Sequence, residues 1–543
     1  MRRRGTFLSI ALLTLLGALA TLTLFGDNIR KQFGASAQAL GGRAEVSHKP
    51  VGYSLARKSM RSFGQDTAYG EAPSAPPRAE SRVSGNTHTR HEPNAFTLTR
   101  DDRLSTFAVD VDTASYSLFR RTVREGSRPH PASVRVEEWV NAFRYRLPEP
   151  ETGDFHVALE AAPSPFTAGR HVVKVGLQGR RVAKSQRKPA HLVFLVDVSG
   201  SMGEPDRLGL AQTAMKLAVG GLNEEDTVAI TTYAGDVRTV LEATPAGRRG
   251  DIEEAIDSLT TGGGTSMGDG LELAYRQAAR NAGPGNVARV VVLTDGDTNL
   301  GRNQTADEML ASVAGYVKEG VTLSTIGFGV GNYRDDLMER LANKGNGNCF
   351  YIDSEREARR VFQEQLAGTM EVIAQDAKVQ VDFEPDAVRG YRLLGYENRA
   401  VADSDFRKDS VDGGEIGAGH SVTALYEVEL TGEGSRLATV RVRAKRPGGE
   451  EAAEQRFPLE RHEVRKSLDE SSADLRFAVA VAGTADLLRG APGAKNWNLA
   501  ATYLLAEGAT DGEPDREEFL ELLKQARERG ASPSTSFSSS SPY

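Results

Sequence analysis

Residues 190–202 read Ala-His-Leu-Val-Phe-Leu-Val-Asp-Val-Ser-Gly-Ser-Met, and the fold is decided by how this stretch is read. Leu192 to Val196 is apolar without a break, with the length and side-chain types of a buried strand. The run then stops at Asp197-x-Ser199-x-Ser201. Polar residues at that point fall where a strand would open into a loop at its carboxyl end. In open α/β sheets ligands bind beyond those ends. Asp197, Ser199 and Ser201 are therefore expected to begin a ligand-binding site.

Working outward, strand and helix patterns alternate from His191 to Met370. Strands are predicted at 191–196, 227–233, 237–241, 288–293, 321–328 and 349–352. Helices are predicted near 207–219, 251–258, 267–281, 306–318, 335–342 and 356–370. This alternation predicts an α/β fold, Rossmann-like and doubly wound, with a mostly parallel sheet covered on both faces. Two more loops would open onto the same edge. One is Thr261-Gly-Gly-Gly-Thr265-Ser-Met267; the other is Leu293-Thr-Asp295-Gly296, directly after an apolar strand. Gly262 to Gly264 would let the backbone carry Thr265 in close. Asp197, Ser199, Ser201, Thr265 and Asp295 would then supply carboxylates and hydroxyls only. Such a hard oxygen shell suits Mg2+, with Mn2+ and Ca2+ as alternatives, rather than zinc or copper.

The three pieces, in this order, resemble the metal-ion-dependent adhesion site of von Willebrand factor type A (VWA) domains. The flanks resemble the bacterial YfbK-type family of VWA proteins. The similarity lies in Thr106-Phe-Ala-Val-Asp-Val-Asp-Thr-Ala-Ser-Tyr116, Val134-Arg-Val-Glu-Glu-Trp-Val-Asn141, Gly327-Phe-Gly-Val-Gly-Asn-Tyr333, Gly345-Asn-Gly-Asn348, Tyr391-Arg-Leu-Leu-Gly-Tyr-Glu-Asn-Arg399 and the stretch from Gly414 to Tyr426. The resemblance implies that Asp197, Ser199 and Ser201 are first-loop ligands. It implies that Thr265 and Asp295 come from the second and third loops, and that an acidic residue of a protein partner completes the ion. Members of that family are often lipoproteins; no cysteine follows the N-terminal apolar run here.

The remaining divisions follow from composition. Residues 1–26 read as a signal or anchor helix: Arg2, Arg3 and Arg4 precede an apolar run over 6–25 long enough to span a bilayer. Cleavage after Ala37 or Ala39 is the competing outcome. The expectation is an exported envelope protein, anchored in the inner membrane and facing the periplasm or exterior, or released if cut. Residues 27–95, poor in large apolar side chains, read as a disordered linker with solvated His48, His88 and His91. Residues 96–188 read as an N-terminal flanking α+β domain with a helix over 134–145, and 189–371 as the VWA domain. Residues 372–530 read as a C-terminal flanking domain, first β-rich with strands at 378–383, 391–396, 421–430 and 437–445, then helical at 474–489 and 515–528. The Ser-rich 531–543 is a disordered tail. The strands on either side of the α/β segment could form one β-rich body with that segment inserted.

The bulk properties narrow the function. The chain has 543 residues, 39% hydrophobic and 26% charged, with a net charge of −7. That is a soluble globular composition with no electrostatic case for nucleic acid. A single cysteine, Cys349, excludes an intrachain disulfide and a cysteine-based metal cluster; it reads as a buried small apolar residue. Several weaker signals take ordinary readings. Asp110-x-Asp112 lacks the rest of a calcium loop and reads as strand-end capping. Asp295-Gly-Asp297-Thr-Asn299 starts like an EF-hand but continues with Leu300 and Ala306 where Gly and Glu are needed. Asp297 and Asn299 could stand at the rim of the site. The basic stretch 178–189 has no interleaved aromatics and reads as a solvated linker. Asp335 and Asp336 read as the start of a helix, His420 as a turn residue, and Trp139 and Trp497 as core.

Two alternatives compete with a non-enzymatic binding module. One is a VWA subunit serving an ATPase or chelatase assembly; the N-terminal signal opposes it. The other is a magnesium-dependent phosphohydrolase using Asp197 and Asp295. No basic residue beside either aspartate in sequence stands ready to hold a phosphate, and the Gly-rich loop lacks the Gly-Lys-Ser/Thr of a phosphate loop.

Overall fold

The computed structural model describes residues 88–264, 266–283, 285–296, 305–329, 333–365, 368, 371–411, 413–449, 451–495 and 497–530. The N-terminal apolar run, the linker up to residue 87, Thr265, Asp297, Asn299 and the Ser-rich tail lie outside them. Among the described residues no helix is long and apolar enough to cross a membrane.

The first segment contributes β1 (Thr97–Leu98), β2 (Leu104–Ala108), α1 (Ala114–Arg124), α2 (Val136–Asn141), β3 (Phe155–Pro163) and β4 (Arg170–Gly179). Helix α2 is shorter than the predicted 134–145. The chain turns out of the helix to bury Phe143 and Tyr145, and the Tyr145 hydroxyl donates to the Val140 carbonyl at 2.9 Å. His88 is not solvated: its side chain is 6% exposed and lies 3.4 Å from Asp335.

The middle segment contributes β5 (Ala190–Asp197), α3 (Leu208–Gly220), β6 (Thr227–Tyr233), β7 (Val237–Pro245), α4 (Arg249–Asp257), α5 (Met267–Ala279), β8 (Val287–Thr294), α6 (Ala306–Lys318), β9 (Thr322–Gly327), α7 (Asp335–Lys344), β10 (Cys349–Tyr351) and α8 (Glu355–Arg359). These strands form one sheet in the order β10-β9-β8-β5-β6-β7, parallel throughout except β7. It is the doubly wound α/β arrangement predicted. Strand β5 is central, which explains its unbroken apolar run. Leu192, Phe194 and Val196 pack on one face with Ala211 and Met215 of α3 and Ile252 of α4. Val193 and Leu195 pack on the other with Leu271 and Ala274 of α5. The last predicted helix, 356–370, is divided: α8 passes into a wider π-helical turn at Arg360–Gln365.

The last segment contributes β11 (Val372–Phe383), β12 (Val388–Leu394), β13 (Gly414–Gly417), β14 (Ser421–Leu430), β15 (Arg436–Lys445), β16 (Ala452–Glu460), α9 (Ala473–Arg489), α10 (Leu499–Glu507) and α11 (Pro514–Gly530). Strands from both ends of the chain share two sheets. One runs β1-β12-β14-β4-β3; the other runs β13-β11-β15-β16, with β2 also paired to β11. Their inner faces bury Val173, Val175, Val379, Val381, Val422 and Val440 in a common core. Helices α1, α2, α9 and α11 cover the outer face of the first sheet through Phe119, Trp139, Phe477 and Phe519. The α/β segment is thus inserted into a β-sandwich built from its own flanks.

Buried ion pairs fasten the insertion to the sandwich. Arg135, just before α2, donates to Asp335 at 2.5 Å and 3.0 Å. Arg120 of α1 donates to Asp353 and, at 2.9 Å, to Glu357. Asp110 and Asp112 receive Arg399 at 3.0 Å and 3.1 Å, a tie between flanks. Burial raises the cost of ionising Asp335, yet Arg135 and His88 hold its carboxyl well below the usual carboxylate range. The basic stretch 178–189 finds acceptors within the fold: Arg180 takes Asp154, Arg181 takes Glu149, Arg187 takes Asp226, and Lys184 donates to the Leu222 carbonyl. Cys349 and Trp139 are buried in the core, and Trp497 packs edge-on against Phe166.

Candidate metal centre

Strand β5 delivers Asp197 to the carboxyl edge of the parallel sheet. Its register with β8 sets Val196 opposite Leu293, so Thr294 and Asp295 emerge beside Asp197. Asp197, Ser199 and Asp295 are buried, and Ser201 is half-buried. Asp197 Oδ1 accepts from the Ser199 backbone N–H at 2.9 Å, which turns the chain back over the strand end. A short 3-10 turn at Gly200–Gly203 then brings the Ser199 and Ser201 hydroxyl oxygens to 3.0 Å from each other.

The glycine loop is clamped to this turn. Gly262 N–H donates to the Val198 carbonyl at 2.7 Å, and Gly200 N–H donates to the Gly263 carbonyl at 3.1 Å. Gly263 has φ +87°, and a Cβ there would sit 2.8 Å from the Gly235 nitrogen. Only glycine serves at such a position. Thr265 itself lies outside the described residues; Gly262, Gly263 and Gly264 carry the chain from the clamp towards it.

Three residues that the sequence pattern did not single out complete the surroundings. Thr294 donates to Asp197 Oδ2 at 2.8 Å, and the Tyr233 hydroxyl donates to the same oxygen at 3.3 Å. Arg207 donates from Nη1 to Asp295 Oδ2 at 2.5 Å and to the Ser201 carbonyl at 2.8 Å. Tyr233 ends the strand beside β5, and Thr294 precedes Asp295. Neither position is visible as a neighbour until strand order is known.

Burial pushes the Asp197 carboxyl up to about 6; Asp295 adds to the rise, while hydrogen bonds from Ser199 and Thr294 oppose it. A buried carboxylate in this state gains from a cation. A guanidinium, that of Arg207, already stands on its neighbour Asp295. The donors are all oxygen, as magnesium, manganese or calcium requires. Among the described residues no cluster of three or more His, Cys, Asp and Glu side chains could hold a metal. The edge presents two carboxylates, of Asp197 and Asp295, with two serine hydroxyls, of Ser199 and Ser201.

Comparison with known proteins places this edge in a family. A model described as von Willebrand factor type A domain matches residues 191–365, one described as von Willebrand factor matches 82–174, and one described as Uncharacterized protein YfbK, C-terminal, matches 368–437 and 430–528. Uncharacterized protein YfbK of Escherichia coli is 35% identical over 517 residues, covering 87% of this chain and 88% of that protein. This chain belongs to the YfbK family of VWA proteins. An inter-alpha-trypsin inhibitor heavy chain of Mesocricetus auratus is 24% identical over 271 residues, 45% of this chain and 29% of that one. A solved von Willebrand factor type A structure from Catenulispora acidiphila aligns at 20% identity over 72% of this chain and 89% of its own, with a TM-score of 0.39. The VWA domain of the YfbK family sits where β5 to α8 were found. Such domains commonly mediate metal-dependent protein interaction.

Proposed function

We propose that this YfbK-family chain is an envelope-anchored protein-binding protein that docks partners through a divalent ion at the carboxyl edge of its VWA sheet. The observation that carries the reading is the convergence of Asp197, Ser199 and Ser201 with Asp295 on one buried edge. Asp197, Ser199, Ser201, Thr265 and Asp295 would hold the ion, with Mg2+ the first candidate and Mn2+ and Ca2+ the alternatives. When bound, the ion supplies a Lewis-acidic position for a carboxylate of the partner. The protein's part is to orient hydroxyls and carboxylates and to leave one side open.

Docking rather than turnover fits the local chemistry. The cation at the edge, Arg207, is taken up by Asp295 and the Ser201 carbonyl. In a phosphohydrolase it would face a substrate phosphate. The N-terminal arginines and the apolar run at 6–25 support attachment to the inner membrane, with the folded body outside the cytoplasm. Protease treatment of spheroplasts should digest the body while the cytoplasm stays protected.

The test of the metal reading is calorimetric titration of the purified full chain with MgCl2 and MnCl2. One saturable site, lost when Asp197→Ala is combined with Asp295→Ala, is the expected result. No binding, or binding that the double substitution leaves intact, contradicts it. Partners can then be captured by a photocrosslinker at Glu204. Neighbouring Met202 is buried, whereas Glu204 is exposed on the same loop.

A further inference from the structure

The metal edge contains a positive group that the oxygen-ligand pattern does not call for. Arg207 lies immediately before α3 and is only 12% exposed in its side chain. Its Nη1 bridges the third loop, at Asp295 Oδ2, and the first loop, at the Ser201 carbonyl, at 2.5 Å and 2.8 Å. The guanidinium also packs over Gly329 in the late loop, where φ is +67° and a Cβ would overlap the arginine. Three loops therefore close around one side chain.

Its starting point is fixed as well. Arg207 N–H donates to the Glu204 carbonyl at 3.1 Å. The preceding residue, Asp206, pairs with Arg121 of α1, a helix of the flanking body. The arginine is thus aimed from a backbone held by both the VWA domain and its flank.

Two carboxylates buried together repel and lose hydration, so an ion-free edge needs compensating charge. Arg207 supplies it at Asp295. An ion ligated by Asp295 would stand beside the same guanidinium, and two cations would contend for one carboxylate at short range. Retaining both is unfavourable where Arg207 has little access to water.

We propose that Arg207 is a resident cation of the metal edge: it holds Asp295 in the ion-free protein and must release Asp295 Oδ2 when a divalent ion binds. Arg207 is then a positioning residue that sets ion affinity and links ion binding to a rearrangement of the first loop. This inference rests on the metal reading above, and its failure is separable from the failure of that reading.

The experiment compares the full chain with Arg207→Gln and Arg207→Lys, using Mg2+ alone as probe in calorimetry and thermal unfolding with EDTA as the ion-free reference. Arg207→Gln should bind Mg2+ about 10-fold tighter or more, in the range by which groups around a metal site tune affinity. It should also melt lower in EDTA and gain more from Mg2+ than the wild type. Arg207→Lys, which keeps a charge but loses the planar fork, should move the same way by less. Equal or weaker Mg2+ binding by both folded variants overturns the inference and leaves the metal site standing. Absence of Mg2+ binding in all three proteins overturns both.

Discussion

Thr294 Oγ1 donates to Asp197 Oδ2 at 2.8 Å, joining the last residue of β8 to the last residue of β5. Both residues are fully buried, so the hydrogen bond holds the Asp197 carboxylate in one orientation. Thr294→Val keeps the shape and removes the donor. It should weaken Mg2+ binding about 10-fold while the protein stays folded; Thr294→Ser should retain wild-type affinity. Calorimetry on the two variants checks this.

Asp197 predicts a pH dependence. Its carboxyl is raised to about 6 by burial, above the ordinary aspartate range. In the ion-free protein the associated stability is fully present below the unfolded value and is lost as pH rises through about 6, a loss on the order of 3 kcal/mol. Denaturant unfolding in EDTA should show this loss between about pH 4 and about pH 7, and Asp197→Asn should flatten it. Mg2+ affinity should run the opposite way, falling as pH drops through about 6 because protons compete for the same carboxylate.

Gly263 couples backbone geometry to the second loop. With φ +87° and a Cβ that would crowd Gly235, Gly263→Ala should cost about 1–3 kcal/mol. Because this loop carries Thr265, the substitution should weaken Mg2+ binding more than Gly262→Ala, where a Cβ meets nothing within 4 Å. Parallel melting curves and titrations separate the two effects.

Arg135 and Asp335 fasten the insertion to its flank. Arg135→Met leaves Asp335 buried without its main counter-charge and should destabilise the protein by about 3–5 kcal/mol. Asp335 has its pKa held down, so the stability it contributes is present above the unfolded carboxylate pKa and is lost as pH falls. The Arg135→Met variant should lose part of that acid dependence in urea unfolding series. Wild-type stability in the variant would contradict the role assigned to the pair.

Much of the α/β insertion was legible because its signals are local. The apolar run ending at Asp197 has the length and side-chain types of a buried strand, and strand 227–233 and helix 306–318 match the structure at both ends. The flanks were harder. Strand β16 is an edge strand with Pro458 and several charged residues, so it lacks the alternation that marked β14. Helix α10 is apolar on most sides and offered no stripe to read. His88 was assigned to a linker on composition, yet its place is set by Asp335, 247 residues away. At the metal edge, Asp197, Ser199, Ser201 and Asp295 were named by pattern. Arg207 was not, since its role depends on a meeting with Asp295 that only the fold provides.

The most direct test of the account is the position of a bound ion. Crystals of the protein soaked in MnCl2 and measured at the manganese absorption edge should give one anomalous peak among Asp197, Ser199, Ser201, Thr265 and Asp295. A peak elsewhere, or none at that edge under soaking that saturates the calorimetric site, would contradict it.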